Sequence, residues 1–340
     1  MWRQIALCVV FGGCGFQSQV TGDGAVPPLD AAEGDSPVHP MDAAMTMDGA
    51  MTPDAATDAS IDAPPAPRDC FAQWLNGRVT FSMPAELMGV NTTGTERDPW
   101  VSDDGFRLYF TRGAAEHGDI FQASRQVASG AFSNVAKAVN LSTDSDDSRA
   151  SLTPDEMMLA LASNRRGGGV EILISRDGSG TPDGVHLDKV NEGGGDRFDP
   201  FLAANGTRLY FAPTQPSRQH LALATRASTN DDFSMPIELP GISDKSNPDA
   251  DPAVSRDERI LVYSSQRNGG GFTGFNLWYA TRADVESNFS APKPIPMVNS
   301  NQDDADPMLS ADGCELYFAS NKGATNDNYN LYFARVMPSP

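Results

Sequence analysis

One phrase is written five times along this chain, and it limits the possible folds more than any other feature. The copies are "RDPWVSDDGFRLYFTR" (97–112), "SRASLTPDEMMLALAS" (148–163), "FDPFLAANGTRLYFAP" (198–213), "ADPAVSRDERILVYSS" (250–265) and "ADPMLSADGCELYFAS" (305–320). They begin roughly 50–55 residues apart, a spacing typical of blade-like repeats. Each copy holds a short apolar strand, a turn and a strongly apolar strand. Asp or Asn followed by Gly suits a tight hairpin, because these residues tolerate positive φ. Two copies put Glu156 and Glu258 where the others have glycine, and there the residue type predicts a different turn.

The pattern continues beyond the phrase. A third strand follows in every unit: "DIFQASR" (119–125), "VEILISR" (170–176), "HLALATR" (220–226), "NLWYATR" (276–282) and "NLYFARV" (330–336). A fourth follows in most: "FSNVAKAVNL" (132–141), "GVHLDKVN" (184–191), "FSMPIELP" (233–240) and "FSAPKPIP" (289–296). Four strands in about 50 residues is the mark of a propeller blade. The middle strands are apolar at nearly every position, as expected of sheets covered on both faces. The fifth unit ends after its third strand. The missing strand lies near the start of the repeat region, where "FSMPAELMGVN" (81–91) matches "FSMPIELPGIS" (233–243). The expectation is an all-β, five-bladed β-propeller in which the N-terminal strand completes the last blade and hides the sheet edges. The units fall near 95–143, 144–194, 195–243, 244–300, and 301–340 with 79–91.

The first residues, "MWRQIALCVVFGGCG", read as an export signal: Arg3, a short apolar run, then small residues up to Cys14. The run is too short to span a bilayer. "FGGC" resembles the bacterial lipobox, with Phe11 where an aliphatic residue is usual, which implies that residues 1–13 are removed and Cys14 carries lipid. The alternative is ordinary signal cleavage and a secreted chain. Residues 14–69 then form an Asp/Ala/Pro-rich linker, with nine acidic residues and no Lys or Arg between 21 and 67. Self-repulsion and proline keep such a segment extended. The propeller is expected over 70–340. Localisation at the cell envelope, as an outer-membrane lipoprotein, follows from this order of parts.

With Cys8 lost with the signal and Cys14 lipidated, Cys70 and Cys314 remain. Both fall at the seam of the ring, and an oxidising compartment would let them pair. The bond would close a loop of about 245 residues, worth roughly 5 kcal/mol at most by chain entropy.

These units resemble the WD40-like β-propeller repeat of the TolB type, through the DP-x-x-S-x-DG-x-x-LYF phrase seen best in 305–319 and 98–110. In the second copy Arg149-Ala150 replace the Asp-Pro pair. The resemblance implies a propeller, with a six-bladed TolB-like ring as the alternative to five blades. It implies a binding role in the envelope and supplies no catalytic residues.

Function is less legible. The chain has 45 acidic and 25 basic residues, a formal charge of −20. Phosphate backbones would repel it, so nucleic acid is excluded as a partner. No basic patch suits an anionic bilayer, which leaves a lipid anchor as the membrane contact. Acidic residues precede or open every inner strand, and Asp98, Asp147, Asp199, Asp251 and Asp306 are the candidate rim-binding residues. The rim could draw in a cation, calcium being the candidate, or an envelope protein, peptide or glycan. The structural alternative is that each Asp caps backbone N–H groups in its own turn. No catalytic residue or other cofactor is expected, and a monomer is expected. The enzymatic alternative is a glycoside hydrolase acting on an extracellular polysaccharide, which requires an acid pair that nothing in the sequence singles out. The four histidines lack metal-ligand spacing.

Overall fold

Five four-stranded antiparallel sheets form the computed structural model. It describes residues 69–338, apart from 114–116, 177–184, 215–217, 245, 268–273 and 324–327. The signal segment, Cys14 and residues 15–68 of the linker lie outside the described residues.

The described chain opens with a six-residue helix, α1 (Cys70–Leu75), and a two-residue strand, β1 (Ala85–Glu86). The first complete sheet contains β2 (Glu96–Val101), β3 (Arg107–Arg112), β4 (Asp119–Ser124) and β5 (Ser133–Lys137). The second contains β6 (Asp147–Leu152), β7 (Leu159–Ser163), β8 (Glu171–Ser175) and β9 (Val185–His186), followed by the short helix α2 (Asp188–Asn191). The third has β10 (Arg197–Leu202), β11 (Arg208–Pro213), β12 (Ala222–Thr225) and β13 (Ile237–Glu238). The fourth has β14 (Asp249–Val254), β15 (Ile260–Ser265), β16 (Asn276–Thr281) and β17 (Lys293–Pro294). The last is ordered β1-β20-β19-β18, with β18 (Asp304–Leu309), β19 (Glu315–Ser320) and β20 (Asn330–Arg335).

The inner strands β2, β6, β10, β14 and β18 neighbour one another in a closed circle, because β18 returns to β2. The fold is therefore a five-bladed propeller, and the six-bladed alternative is overturned. Closure follows the sequence match. Ala85 and Glu86 pair with Phe333 and Tyr332, and Phe81 bridges Val336. The Ser82 and Leu87 N–H groups donate to the Arg335 and Leu331 carbonyls.

Apolar side chains from adjacent blades form the core. Leu108, Phe110 and Ile120 of the first blade join Leu159 and Leu161 of the second and Tyr317 of the fifth. Val262 and Leu277 of the fourth pack with Leu316 and Phe318 of the fifth. The middle strands β15 and β19 are buried almost throughout, which explains why their sequences do not alternate.

The turn at Glu156 and Glu258 corrects the expectation. Both residues adopt the left-handed conformation of the glycines they replace, at φ 56° and 54° against 74° for Gly105. The same bond closes each turn: Gly105, Glu156 and Glu258 donate N–H to the carbonyls of Ser102, Thr153 and Ser255. An Asp one residue earlier fixes the geometry, as Asp104 accepts from Ser102 Oγ and the Phe106 N–H. Glu258 offsets the left-handed cost by accepting from the buried Tyr210 hydroxyl at 2.7 Å and lying 3.6 Å from Arg282. Glu156 has only an ion pair with the half-exposed Arg107.

The seam carries the clasp. Cys70 and Cys314 form a disulfide with Cα atoms 5.2 Å apart, within the range bridgeable cysteines need. Asp69 caps α1 by accepting the Ala72 N–H. The helix buries Trp74, whose indole N–H donates to the Gly313 carbonyl and whose ring meets Phe81 and Tyr279 edge-on. The disulfide is of the kind that oxidising compartments sustain.

Candidate functional site

Every inner strand carries a bulge at the same point. The register shifts between Arg97 and Trp100, Ser148 and Ser151, Phe198 and Phe201, Ala250 and Ala253, and Ala305 and Met308. The first bulged residue is left-handed in all five blades: Asp98, Arg149, Asp199, Asp251 and Asp306, with φ between 51° and 57°. Proline follows each Asp, at a position where a strand tolerates a missing N–H. The bulge turns one side chain per blade towards the axis.

The axial ring is thus four aspartates and one arginine. Arg149 is the hub. Its Nη2 lies 2.5 Å from Asp251 Oδ1 and 2.6 Å from Asp306 Oδ1, and its Nε lies 3.1 Å from Asp98 Oδ1. Asp199 Oδ1 is 3.6 Å from Nη2. The carboxylates also bind across blades. The Asp98 N–H donates to Asp306, the Asp306 N–H to Asp251 and the Asp251 N–H to Asp199. The chain of bonds stops at Arg149, which has no acceptor to offer. Its own N–H goes to Thr111 Oγ1.

The charges settle unequally. Burial lowers the affinity of Arg149 for its proton, but Asp98, Asp251, Asp306 and Asp199 outweigh burial and raise it. Burial, and then the nearby Asp251 charge, push Asp199 and Asp306 well above the ordinary carboxylate range. Burial opposes ionisation of Asp251 as well. There, Arg149 and hydrogen bonds from Ser264 and Asp306 win, and its pKa falls. The ring therefore shares protons and one guanidinium among its carboxylates.

Asp147, the rim candidate of the second blade, is not part of this ring. It opens β6, is fully buried, and binds Ser163 Oγ, Arg165 and the Thr143 N–H within its own blade. Glu96 with Arg112 and Asp249 with Arg267 repeat the arrangement. Asp98, Asp199, Asp251 and Asp306 do converge. The backbone N–H groups that Asp199, Asp251 and Asp306 accept belong to neighbouring blades, so the expectation of a cap on the same turn is corrected for these three, whereas Asp147 does accept the Thr143 N–H of its own turn.

A cavity of about 680 Å³ lies over the ring, within the usual range for small-molecule sites. Its wall includes Asp146 and Asp196, each of which staples the preceding blade. They accept the Gly118 and Val170 N–H groups at 2.7 and 2.8 Å. Asp303 does the same for Phe275, and the Tyr329 hydroxyl donates to it. Burial raises the pKa of Asp146 against the opposing Gly118 hydrogen bond.

The residue before each bulge also lines the cavity, and here the blades disagree: Arg97, Ser148, Phe198, Ala250 and Ala305. Arg97, Arg149 and this unlike layer were missed as site residues by sequence reasoning. The alignment of the five phrases contains them all, one column before the Asp and in the Asp column itself. Among the described residues, no group of His, Cys, Asp and Glu is arranged to hold a metal ion.

A scan against protein-family models finds no match, and a search of curated proteins finds none. Solved structures show similar folds. A glycoside hydrolase matches with a TM-score of 0.55 at 10% identity, covering 78% of this chain and 95% of that one. A family 117 glycoside hydrolase of the marine bacterium Zobellia galactanivorans matches with 0.52 at 13%, covering 76% and 90%. TolB from Acinetobacter baumannii matches with 0.46 at 12%, covering 72% of this chain and 55% of that one. At these identities the likeness is one of propeller fold.

Proposed function

We propose that the protein is a non-catalytic binding module of the bacterial cell envelope, held by lipid on Cys14, which receives part of a protein, peptide or glycan partner in the axial cavity. One observation carries this reading. The four axial carboxylates are equivalent by position, converge on one guanidinium, and three of them accept N–H groups of the same ring. A glycosidase needs two carboxyl groups in different environments, about 5–9.5 Å apart, with the scissile bond between them. Carboxylates that meet on one guanidinium are committed to Arg149 rather than set across a substrate. The disulfide supports an oxidising compartment.

A second reading, hydrolysis of an extracellular polysaccharide, draws on Asp146. This carboxyl faces the cavity with a raised pKa, as a general acid would.

One experiment separates the two. The purified protein and its Ser148→Trp variant, in which the added ring obstructs the cavity, are used as bait against envelope extracts and incubated with soluble polysaccharides. The binding reading expects partners that the variant loses and no new reducing ends. Equal recovery by both baits would refute the cavity as the site. Turnover abolished by Asp146→Asn would establish the hydrolase instead.

A further inference from the structure

In a ring of repeats, what every blade shares serves the ring, and what one blade has alone is free to serve a ligand. Arg97 is such a residue. Its counterparts are Ser148, Phe198, Ala250 and Ala305, and it lines the cavity. Its Nε is buried and finds no acceptor among the described residues. Among the described residues it makes no ion pair of the kind that occupies Arg149, Arg165 or Arg267. A buried donor without an acceptor is costly, and native structures seldom leave one without a reason.

The acids around Arg97 decide what that acceptor is. Burial disfavours its charge, but Asp98, Asp306, Asp146 and Asp199 outweigh burial, so it stays a cation. It feels these carboxylates without touching them. A ligand carboxylate would pair with the guanidinium but would also meet Asp146 and Asp196 in the cavity wall, and like charges in a partly dry cavity repel strongly. A ligand cation would meet Arg97 itself. A hydroxyl group avoids both conflicts, because it accepts from the guanidinium and donates to a carboxylate. The fourth and fifth blades give the cavity a place for a ring: Ala250 and Ala305 are small, with Phe275 and Tyr329 also in the lining, and Tyr329 is held by its hydroxyl bond to Asp303.

We infer that the axial cavity takes an uncharged, hydroxyl-rich ligand, the end of a neutral glycan, with Arg97 as its specificity-determining contact and Asp146 accepting from the bound hydroxyl. This rests on the binding reading above and names its ligand class.

The test is isothermal titration of the purified protein with three sets of probes: neutral trisaccharides of glucose, xylose, galactose and arabinose, the matching uronic-acid trisaccharides, and trilysine. At least one neutral trisaccharide should bind, uncut, more tightly than its uronate counterpart and than trilysine. Arg97→Met and Arg97→Lys should each weaken it about 10- to 100-fold, the range for losing a hydrogen bond to a charged group. Arg97→Lys keeps the charge and so guards against misfolding of the other variant. Tighter binding of uronates or trilysine, unchanged affinity in both variants, or no binding by any neutral probe would overturn the inference. Cleavage of a probe would instead sink the binding reading on which it rests.

Discussion

Restoring the repeat's own phrase in the second blade should cripple the protein. Arg149→Asp gives that blade the residue its four counterparts carry, a change that usually stabilises repeat proteins. Here it removes the guanidinium that pairs with four buried carboxyl groups and adds a fifth. Removing one partner of a buried ionic cluster costs about 3–5 kcal/mol, a large share of the roughly 5–15 kcal/mol that holds a domain folded. Arg149→Met, which only removes the cation, should fall within that 3–5 kcal/mol range at pH 7, and Arg149→Asp at or beyond its upper end. The pH dependence identifies the cause. A carboxyl whose folded pKa is raised costs nothing below its unfolded value, near 3.9, and lowers stability as pH climbs towards the folded value. Asp199 and Asp306 already behave so, whereas Asp251, whose pKa is lowered, contributes stability that acid removes. Without Arg149, Asp251 should join the raised group. The deficit of Arg149→Met relative to the parent should then shrink by about 1.4 kcal/mol per pH unit for each extra proton the folded variant holds. Urea unfolding followed by tryptophan fluorescence at pH 7, 6 and 5 measures this. A deficit that stays constant between pH 7 and 5, or a more stable Arg149→Asp, would refute the hub.

Three further outcomes follow from the seam and the turns. Replacing Cys70 and Cys314 together with serine should cost up to about 5 kcal/mol, given the 244-residue separation. Dithiothreitol should lower the melting temperature of the parent and leave that of the variant unmoved. Phe81→Ala, at a fully buried ring packed on Trp74, should cost about 3–5 kcal/mol by urea unfolding; a loss under 1 kcal/mol would mean that the closing strand is dispensable. Glu258→Gly relieves a left-handed residue but removes the acceptor of the buried Tyr210 hydroxyl and the carboxylate beside Arg282, for a net loss of about 1–3 kcal/mol. Glu156→Gly loses only a surface-type pair and should be near neutral, so equal effects at the two turns would contradict the account given for them.

The sequence displays the architecture because propeller blades are built from local hairpins, whose turn and strand signals recur at a fixed spacing. Closure was readable because Phe81–Pro84 repeats Phe233–Pro236 letter for letter. Helix α1 was passed over although Asp69 stands as its N-cap and Gly77 just beyond its end. Six residues are too few for periodicity to register. At the axis, acidic residues were chosen by type rather than by column, so Asp147 replaced Arg149. Four buried like charges at one point require a counter-charge, and the Asp column already held it. Arg97 stands in the neighbouring column, but only the structure shows that it lines the cavity and that its Nε has no acceptor among the described residues.

The placement of the two thiols also bears on biogenesis. Cys70 emerges early from any channel that threads this chain from its N-terminus, and Cys314 emerges some 244 residues later. No other cysteine lies between them, so the propeller itself offers the early thiol no wrong mate. Oxidation within the domain must therefore wait until nearly the whole chain has arrived, and the crosslink becomes a stamp of completed assembly, legible to any quality control that distinguishes a free thiol from a bonded one.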